Sequence, residues 1–310
     1  MANISSLNDT KMSPVCFGCM QFGGAADAKA SRAMFDACRD SGVTFFDTAH
    51  IYTDGDSEKM LGEFVKQDRE SLIIATKAAY SGGSGRKNIL AQFDESRTRL
   101  DVDVVDILYL HRWDAETPLE ETFGALAHLQ STHKIRYIGV SNFAAWQVMK
   151  AQSVAGLMGT KIDILQPMYS LVKRQAEVEL FPMALSEDMA VAPYSPLGGG
   201  LLTGKYIKGG SGRLSIDARY ATRYGQAWMH ETAQALAQRA AKMETHPATL
   251  AVAWAAQHPA VTSPIISART VEQLTPSLDA IDTTLDASDY ACVADLSLRP
   301  APATDRLEEA

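Results

Sequence analysis

Short apolar runs of β-branched, aliphatic and aromatic residues recur roughly every thirty residues along this chain of 310, with amphipathic stretches of helical period between them. The runs fall at residues 15–19, 43–46, 72–76, 104–110, 135–140, 162–166, 190–194 and 261–266. Helices are expected over 28–39, closed by Ser41-Gly42, and over 58–67, 87–100 and 144–155. Pro118 is expected in the first turn of another that reaches Gln130, and 175–186 reads as a helix interrupted near Pro182. About thirty residues is what one βα unit needs, and alternation of this kind indicates a parallel sheet. Eight units in one chain favour a closed (β/α)8 TIM barrel, a single α/β domain over residues 1–310. The rival is an open doubly wound sheet, which binds a dinucleotide through Gly-x-Gly-x-x-Gly after its first strand. Gly18, Gly23 and Gly24 do not fit that spacing.

Three of these strands end in an ionisable side chain. Residues 43–46 run into Asp47, with Tyr52 in the loop behind it; 72–76 run into Lys77; 104–110 run into His111. One such residue is ordinary. Three in succession point to a ring of strand ends converging on one site.

Composition narrows the function classes. A net charge of −8 argues against a nucleic-acid or anionic-membrane partner, and no apolar run is long enough to span a bilayer. Residues 1–11 lack a basic start followed by an apolar core, so no signal peptide is expected and the compartment reads as cytoplasmic. Four cysteines do not make a disulfide framework. Cys16-x-x-Cys19 has redox or zinc spacing but no partner pair, and it reads as small buried residues in a strand. No metal site is expected. His111 has no second histidine at ligand spacing, which weakens a metal-dependent barrel hydrolase.

Asp47-Thr48-Ala49-x-x-Tyr52, Ser57-Glu58 with Leu61-Gly62, Thr76-Lys77 and Leu110-His111 together resemble the aldo-keto reductases. The resemblance continues through Gly139-Val140-Ser141-Asn142-Phe143, Gln166-Pro167-Met168-Tyr169, Tyr194-Ser195-Pro196-Leu197-Gly198-Gly199-Gly200 and Ser267-Ala268-Arg269. It implies a catalytic tetrad. Tyr52 is the acid in reduction and the base in oxidation, Lys77 and Asp47 tune it, and His111 orients the carbonyl. The chemistry suits those residue types. A phenol has a pKa near ~10, a neighbouring ammonium favours the phenolate, and a neutral imidazole can hydrogen-bond a carbonyl oxygen. The structural alternative, an Asp47–Lys77 ion pair beside a core tyrosine, stays open on the residues alone.

The resemblance further implies a nicotinamide cofactor, NADPH with NADH as the alternative. Its contacts would be Gly18, Cys19 and Met20 on the first strand end, and Ser141, Asn142 and Gln166 about the carboxamide. Tyr194 would stack on the ring, and Ser195, Pro196, Leu197, Gly198 and Gly200 would lie along the pyrophosphate. Ser267, Arg269 and Gln273 would sit at the adenosine 2′-phosphate. Ser267 stands where many relatives have Gly, and Pro276-Ser277 where an acid and an amide contact adenine. Arg112 and Trp113 follow the tetrad histidine and are expected to border the pocket of a small carbonyl substrate.

About thirty residues after Tyr194, rich in Gly, Ser, Lys and Arg, read as a long loop over that pocket. Arg213, Arg219, Tyr220 and Arg223 there suit a sugar-like, polyhydroxylated or anionic carbonyl better than a lipid. The chain beyond about residue 299 is expected to be extended and poorly ordered. The alternative function is a cofactor-binding regulatory subunit of the same fold, of the kind that attaches to potassium channels.

Overall fold

The computed structural model describes residues 3–309. Its eight strands are β1 (Cys16–Gly18), β2 (Phe45–Asp47), β3 (Ile73–Ala78), β4 (Val105–Leu110), β5 (Ile135–Ser141), β6 (Ile164–Gln166), β7 (Ala190–Val191) and β8 (Ile265–Ile266). All pair in parallel, in sequence order from β1 to β7, with β8 beside β1. Backbone bonds from Thr262 N to Val191 O and from Ile265 N to Pro193 O, each 2.8 Å, join the two ends of the sheet, and Tyr194 bridges Ile265. The sheet is a closed (β/α)8 barrel, as the alternation predicts.

The helices around it are α1 (Ala28–Asp40), α2 (Asp56–Val65), α3 (Arg86–Leu100), α4 (Leu119–Ser131), α5 (Ala145–Leu157), α6 (Leu180–Ser186), α7 (Arg213–Ile216), α8 (Ala218–Tyr224), α9 (Ala227–Lys242), α10 (Pro247–Ala256), α11 (Val271–Leu278) and α12 (Ala287–Ala294). Side-chain caps define several starts. Asp27 accepts from Ala30 N, Thr270 from Gln273 N and Asp286 from Asp289 N, each contributing about 1 kcal/mol.

Strand periodicity of two sorts the core. Cys16, Phe45, Ile73, Ala75, Ile107, Tyr109, Ile164 and Ala190 point into the barrel, where Ile4 from the N-terminal segment joins them. The alternate residues Phe17, Phe46, Ile74, Leu108, Ile138 and Leu165 pack outward with the helices. Each fully buried side chain of this size contributes about 1.5–3 kcal/mol. Tyr109 fills the barrel interior because Gly139, opposite it in the β4–β5 register, has no side chain; a Cβ there would lie 2.3 Å from the ring. Counting in twos from the inward residues puts Asp47, Lys77, His111, Ser141 and Gln166 inside as well, all at the carboxyl end of the barrel.

Several boundaries differ from the sequence expectation. Asp47 and Lys77 lie within their strands rather than after them. Pro118 precedes α4 as its N-cap residue. The break in 175–186 falls between a 3-10 turn (Gln175–Glu177) and α6, and Pro182 sits in the first turn of α6, where its missing N–H costs nothing. The segment after Tyr194 is not a bare loop. It forms 3-10 turns (Gly198–Thr203 and Lys205–Lys208) and then α7 and α8, anchored by buried Leu201, Leu202 and Tyr224. A second helix, α10, is buried almost throughout between α9 and β8. Past residue 299 the chain is mostly without regular structure and ends in a 3-10 turn, Leu307–Glu309.

Candidate active site

Asp47, at the end of β2, is 3% exposed, and Lys77 in β3 is 1% exposed. Burying either charge alone would be prohibitive, and they pair. Lys77 Nζ donates to Asp47 Oδ1 and, at 2.7 Å, to Thr48 O. The other carboxylate oxygen accepts from Gln166 Nε2 at 2.9 Å. Burial pulls the Lys77 ammonium towards neutrality, but Asp47 and Tyr52 outweigh it and hold its pKa above the usual lysine value.

Tyr52 opens a short turn (Tyr52–Gly55) directly behind β2. The Lys77 ammonium lies 4.9 Å from the centre of its ring. Burial raises the phenol, Lys77 lowers it and Asp47 raises it; burial prevails, so the pKa stands above 10. Lys77 exerts the expected pull, but the site around the phenol withholds enough water to override it.

The His111 ring stands edge-on to Tyr52, with centroids 5.8 Å apart. Burial first, then Lys77 and Arg112, push its pKa down to about 3, so it is neutral at physiological pH. Its Nδ1 is buried with no hydrogen-bond partner among the described residues. The four tetrad residues therefore converge, drawn from β2, the turn behind it, β3 and the end of β4.

The neighbouring strand ends join the same network. Ser141 Oγ donates to Gln166 O at 2.9 Å. Asn142, in the left-handed region at φ 60°, donates to His111 O at 3.0 Å and accepts from the Tyr194 hydroxyl at 2.7 Å. On the other side, Gly18 pairs with Asp47 in register, and Cys19 N donates to Asp47 O at 2.8 Å. Met20 follows, half-buried. Cys16 and Cys19 are buried thiols held well above their usual pKa, first by burial and then by Asp47.

The residues expected to hold a dinucleotide fit one. Ser195, Gly198, Gly199 and Gly200 all take positive φ, so the backbone after Tyr194 turns through Pro196 and Leu197 into a 3-10 segment without side chains at three successive positions. Lys205 Nζ lies 3.1 Å from where a Cβ of Gly200 would stand. Its pKa is lowered by burial, then by Arg269 and Arg213, a group of like charges that a phosphate would relieve. Ser267 Oγ is buried with no hydrogen-bond partner among the described residues, and Gln273 Oε1 accepts from Arg269 N at 3.4 Å. Sequence reasoning placed Ser267, Arg269 and Gln273 here but did not single out Lys205, whose signal was its place after the glycine run.

At the mouth, the Arg112 guanidinium stacks on Tyr80 at 5.0 Å, and the Tyr80 ring lies 4.9 Å from that of His111. Tyr80 was missed in the sequence, though it follows Lys77 by three residues. Trp113 packs edge-on to Phe143 and to the exposed Trp146. Arg213 and Arg223 both stack on Tyr220, at 5.1 and 5.4 Å, and Arg213 donates to its hydroxyl. Arg219 is spoken for by Asp217 at 3.0 Å. Among the described residues no group of His, Cys, Asp and Glu is arranged to hold a metal ion, and no helix is long and apolar enough to cross a membrane.

Residues 14–297 match the model of the aldo/keto reductase family. The chain belongs to that family. It is 33% identical, over 88% of both chains, to a probable voltage-gated potassium channel subunit beta of Oryza sativa subsp. japonica. It is 33% identical, over 89% of both chains, to the uncharacterized oxidoreductase YrpG of Bacillus subtilis. It is 31% identical to the L-glyceraldehyde 3-phosphate reductase of Escherichia coli K12, over 84% of this chain and 81% of that one. With the oxidoreductases among its relatives, this aldo/keto reductase is an oxidoreductase acting on carbonyl groups.

Proposed function

We propose that this aldo/keto reductase reduces a small aldehyde or ketone with NADPH, using Tyr52 as the proton donor. The observation that carries the reading is Lys77, which bonds Asp47 while its ammonium faces the Tyr52 ring, next to a histidine held neutral. A bound nicotinamide would supply hydride to the carbonyl carbon. As charge develops on the carbonyl oxygen, Tyr52 gives its proton there and His111 donates a hydrogen bond to the same oxygen. Lys77 then faces the phenolate and stabilises it, and Asp47, bonded by Gln166 as well, keeps the ammonium in place. Burial holds the Tyr52 phenol above its ordinary pKa, so it carries the proton it would give up in reduction.

Asn142, Gln166 and Tyr194 would hold and stack the nicotinamide, and Lys205 and Arg269 would hold phosphates. Arg269 is the reason for preferring NADPH, since its fork suits a 2′-phosphate. At the mouth, Arg112 and Arg223 make no ion pair among the described residues, and both are stacked on tyrosines with N–H groups to spare. The substrate is accordingly a short anionic or polyhydroxylated carbonyl compound, and the relative named for glyceraldehyde 3-phosphate supports that class.

The test follows NADPH and NADH oxidation against aldehydes, aldoses, keto-sugars and phosphorylated trioses. Turnover with NADPH on short polar carbonyls is expected. Tight cofactor binding without turnover on any of them would favour the second reading, a regulatory subunit, which the potassium-channel names among the relatives support.

A further inference from the structure

We infer that Arg99, on the outer helix α3, is a positioning residue for Tyr52: it clamps the strained turn that carries the phenol and ties that turn to the strand that carries Lys77. The inference rests on the assignment of Tyr52 as proton donor.

The turn needs a clamp. After Tyr52, Thr53 and Asp54 both take left-handed backbone angles (φ 47° and 52°), and Gly55 follows at φ 94°. Two consecutive non-glycine residues in that region are strained, and such a conformation persists only where the surroundings over-determine it. One support is Thr53 itself, whose hydroxyl donates to Phe22 O at 2.7 Å and accepts from Ser57 N at 3.0 Å.

Arg99 supplies the rest, and it acts on both ends of the turn. Its Nη1 donates to His50 O at 2.9 Å, just before Tyr52. Its guanidinium packs against Gly55, the last residue of the turn, where a Cβ would stand 2.5 Å from Cζ. Glycine at 55 therefore serves two ends, the positive φ and the room for Arg99. The guanidinium is fixed in turn by two carboxylates. Glu58, completely buried, accepts from Nη1 at 3.2 Å, and Glu95 pairs with Nη2. Glu95 also holds the His50 ring through Nε2 at 2.7 Å, so side chain and main chain of His50 are anchored to the same arginine. The second oxygen of Glu58 accepts from Thr76 Oγ1 at 2.6 Å, and Thr76 is the residue before Lys77. One chain of bonds thus runs from the outside of the barrel to the turn that carries Tyr52 and to the strand that carries Lys77.

A lysine at 99 keeps a charge for Glu58 but has no planar fork to reach His50 O and Glu95 together. A methionine keeps only the stem. The experiment compares wild type, Arg99→Lys, Arg99→Met and Glu95→Gln, with Tyr52→Phe alongside. For each, NADPH affinity is read by fluorescence titration, and turnover is expressed per cofactor-binding site.

The expected result is a split. NADPH affinity stays within about twofold, kcat falls tenfold or more in Arg99→Met and by less in Arg99→Lys, and the ionisation that governs alcohol oxidation moves. Glu95→Gln, at an exposed position outside the site, loosens the clamp without opening the core; it should lower kcat about threefold with little change in melting temperature. That variant carries the test if Arg99→Met does not fold. Wild-type kcat and pH profile in folded Arg99 variants, or in Glu95→Gln should those not fold, would overturn the inference while leaving Tyr52 as donor. Full activity in Tyr52→Phe would instead overturn the assignment on which it rests.

Discussion

Removing Lys77 should cost stability and activity together, and restoring charge balance should return only the stability. In Lys77→Met the ammonium leaves, and Asp47 remains 3% exposed with Gln166 as its one remaining side-chain partner. Breaking a buried ion pair by deleting one member costs about 3–5 kcal/mol. For a chain of this length, at about 2 °C per kcal/mol, that corresponds to a fall in melting temperature of roughly 6–10 °C. In Asp47→Asn/Lys77→Met no charge is stranded. Gln166 can still donate to the amide oxygen, and what remains unpaired is neutral, Thr48 O and the N–H groups of the amide at position 47, at about 1–3 kcal/mol. The double variant should therefore melt several degrees above Lys77→Met and roughly 2–6 °C below wild type. Carbonyl reduction should be lost in both, because neither places an ammonium beside Tyr52. Scanning calorimetry at one scan rate, with steady-state turnover on the same preparations, measures both. A Lys77→Met protein within 1–2 °C of wild type, or a double variant no more stable than it, would refute the reasoning that the pair is held against a desolvation cost.

Three further outcomes follow from the geometry. The His111 imidazole is held down to about 3 against an unfolded value near 6.5, so it stays neutral on folding while the unfolded chain takes up the proton. Stability contributed above pH 6.5 is then lost as the pH falls towards 3, by roughly 2–3 kcal/mol at pH 4.5 relative to a His111→Asn variant that cannot titrate; urea unfolding at pH 7 and 4.5 measures it, and parallel acid limbs would contradict it. Gly62→Ala places a Cβ 2.3 Å from Leu100 O, a backbone atom of the neighbouring helix. It should destabilise by about 1–3 kcal/mol on thermal unfolding despite alanine's advantage of roughly 1 kcal/mol in helices; a stabilised variant would deny the close α2–α3 approach. Arg112→Gln should raise KM about tenfold for phosphorylated or carboxylated aldehydes and leave neutral ones unchanged in steady-state assays, as loss of one charge-assisted contact implies; equal effects on both would remove the anionic preference.

The barrel was legible from strand periodicity, whereas the tetrad, Tyr52 above all, was legible only through the resemblance to the aldo-keto reductases. Runs of apolar residues fix the strands, and counting in twos from Phe45, Ile73 and Tyr109 puts Asp47, Lys77 and His111 on the inner face at one end. The segment after Tyr194 was not legible as helix. Its glycines and lysines carry no periodic signal, and α7 and α8 are short elements ordered by the packing of Tyr220, Tyr224 and Leu201 against the barrel. The clamp on Tyr52 was equally hidden. Arg99 and Glu95 read as an ordinary i, i+4 pair on an amphipathic helix, and only the fold brings Gly55 and His50 against them. The pull of Lys77 on the Tyr52 phenol was legible as a charge neighbour, but the opposing effect of burial was not, because the exclusion of water cannot be read from sequence.

The central claim is that Tyr52 delivers the proton while Lys77 and His111 keep the site able to use it. Its most direct test is single-turnover oxidation of bound NADPH by a reactive aldehyde in wild type and Tyr52→Phe, with cofactor affinity measured in both. The account predicts unchanged NADPH binding and a rate lower by about 10²–10⁴-fold, the contribution of a positioned general acid. Hydride transfer in Tyr52→Phe at the wild-type rate would contradict it.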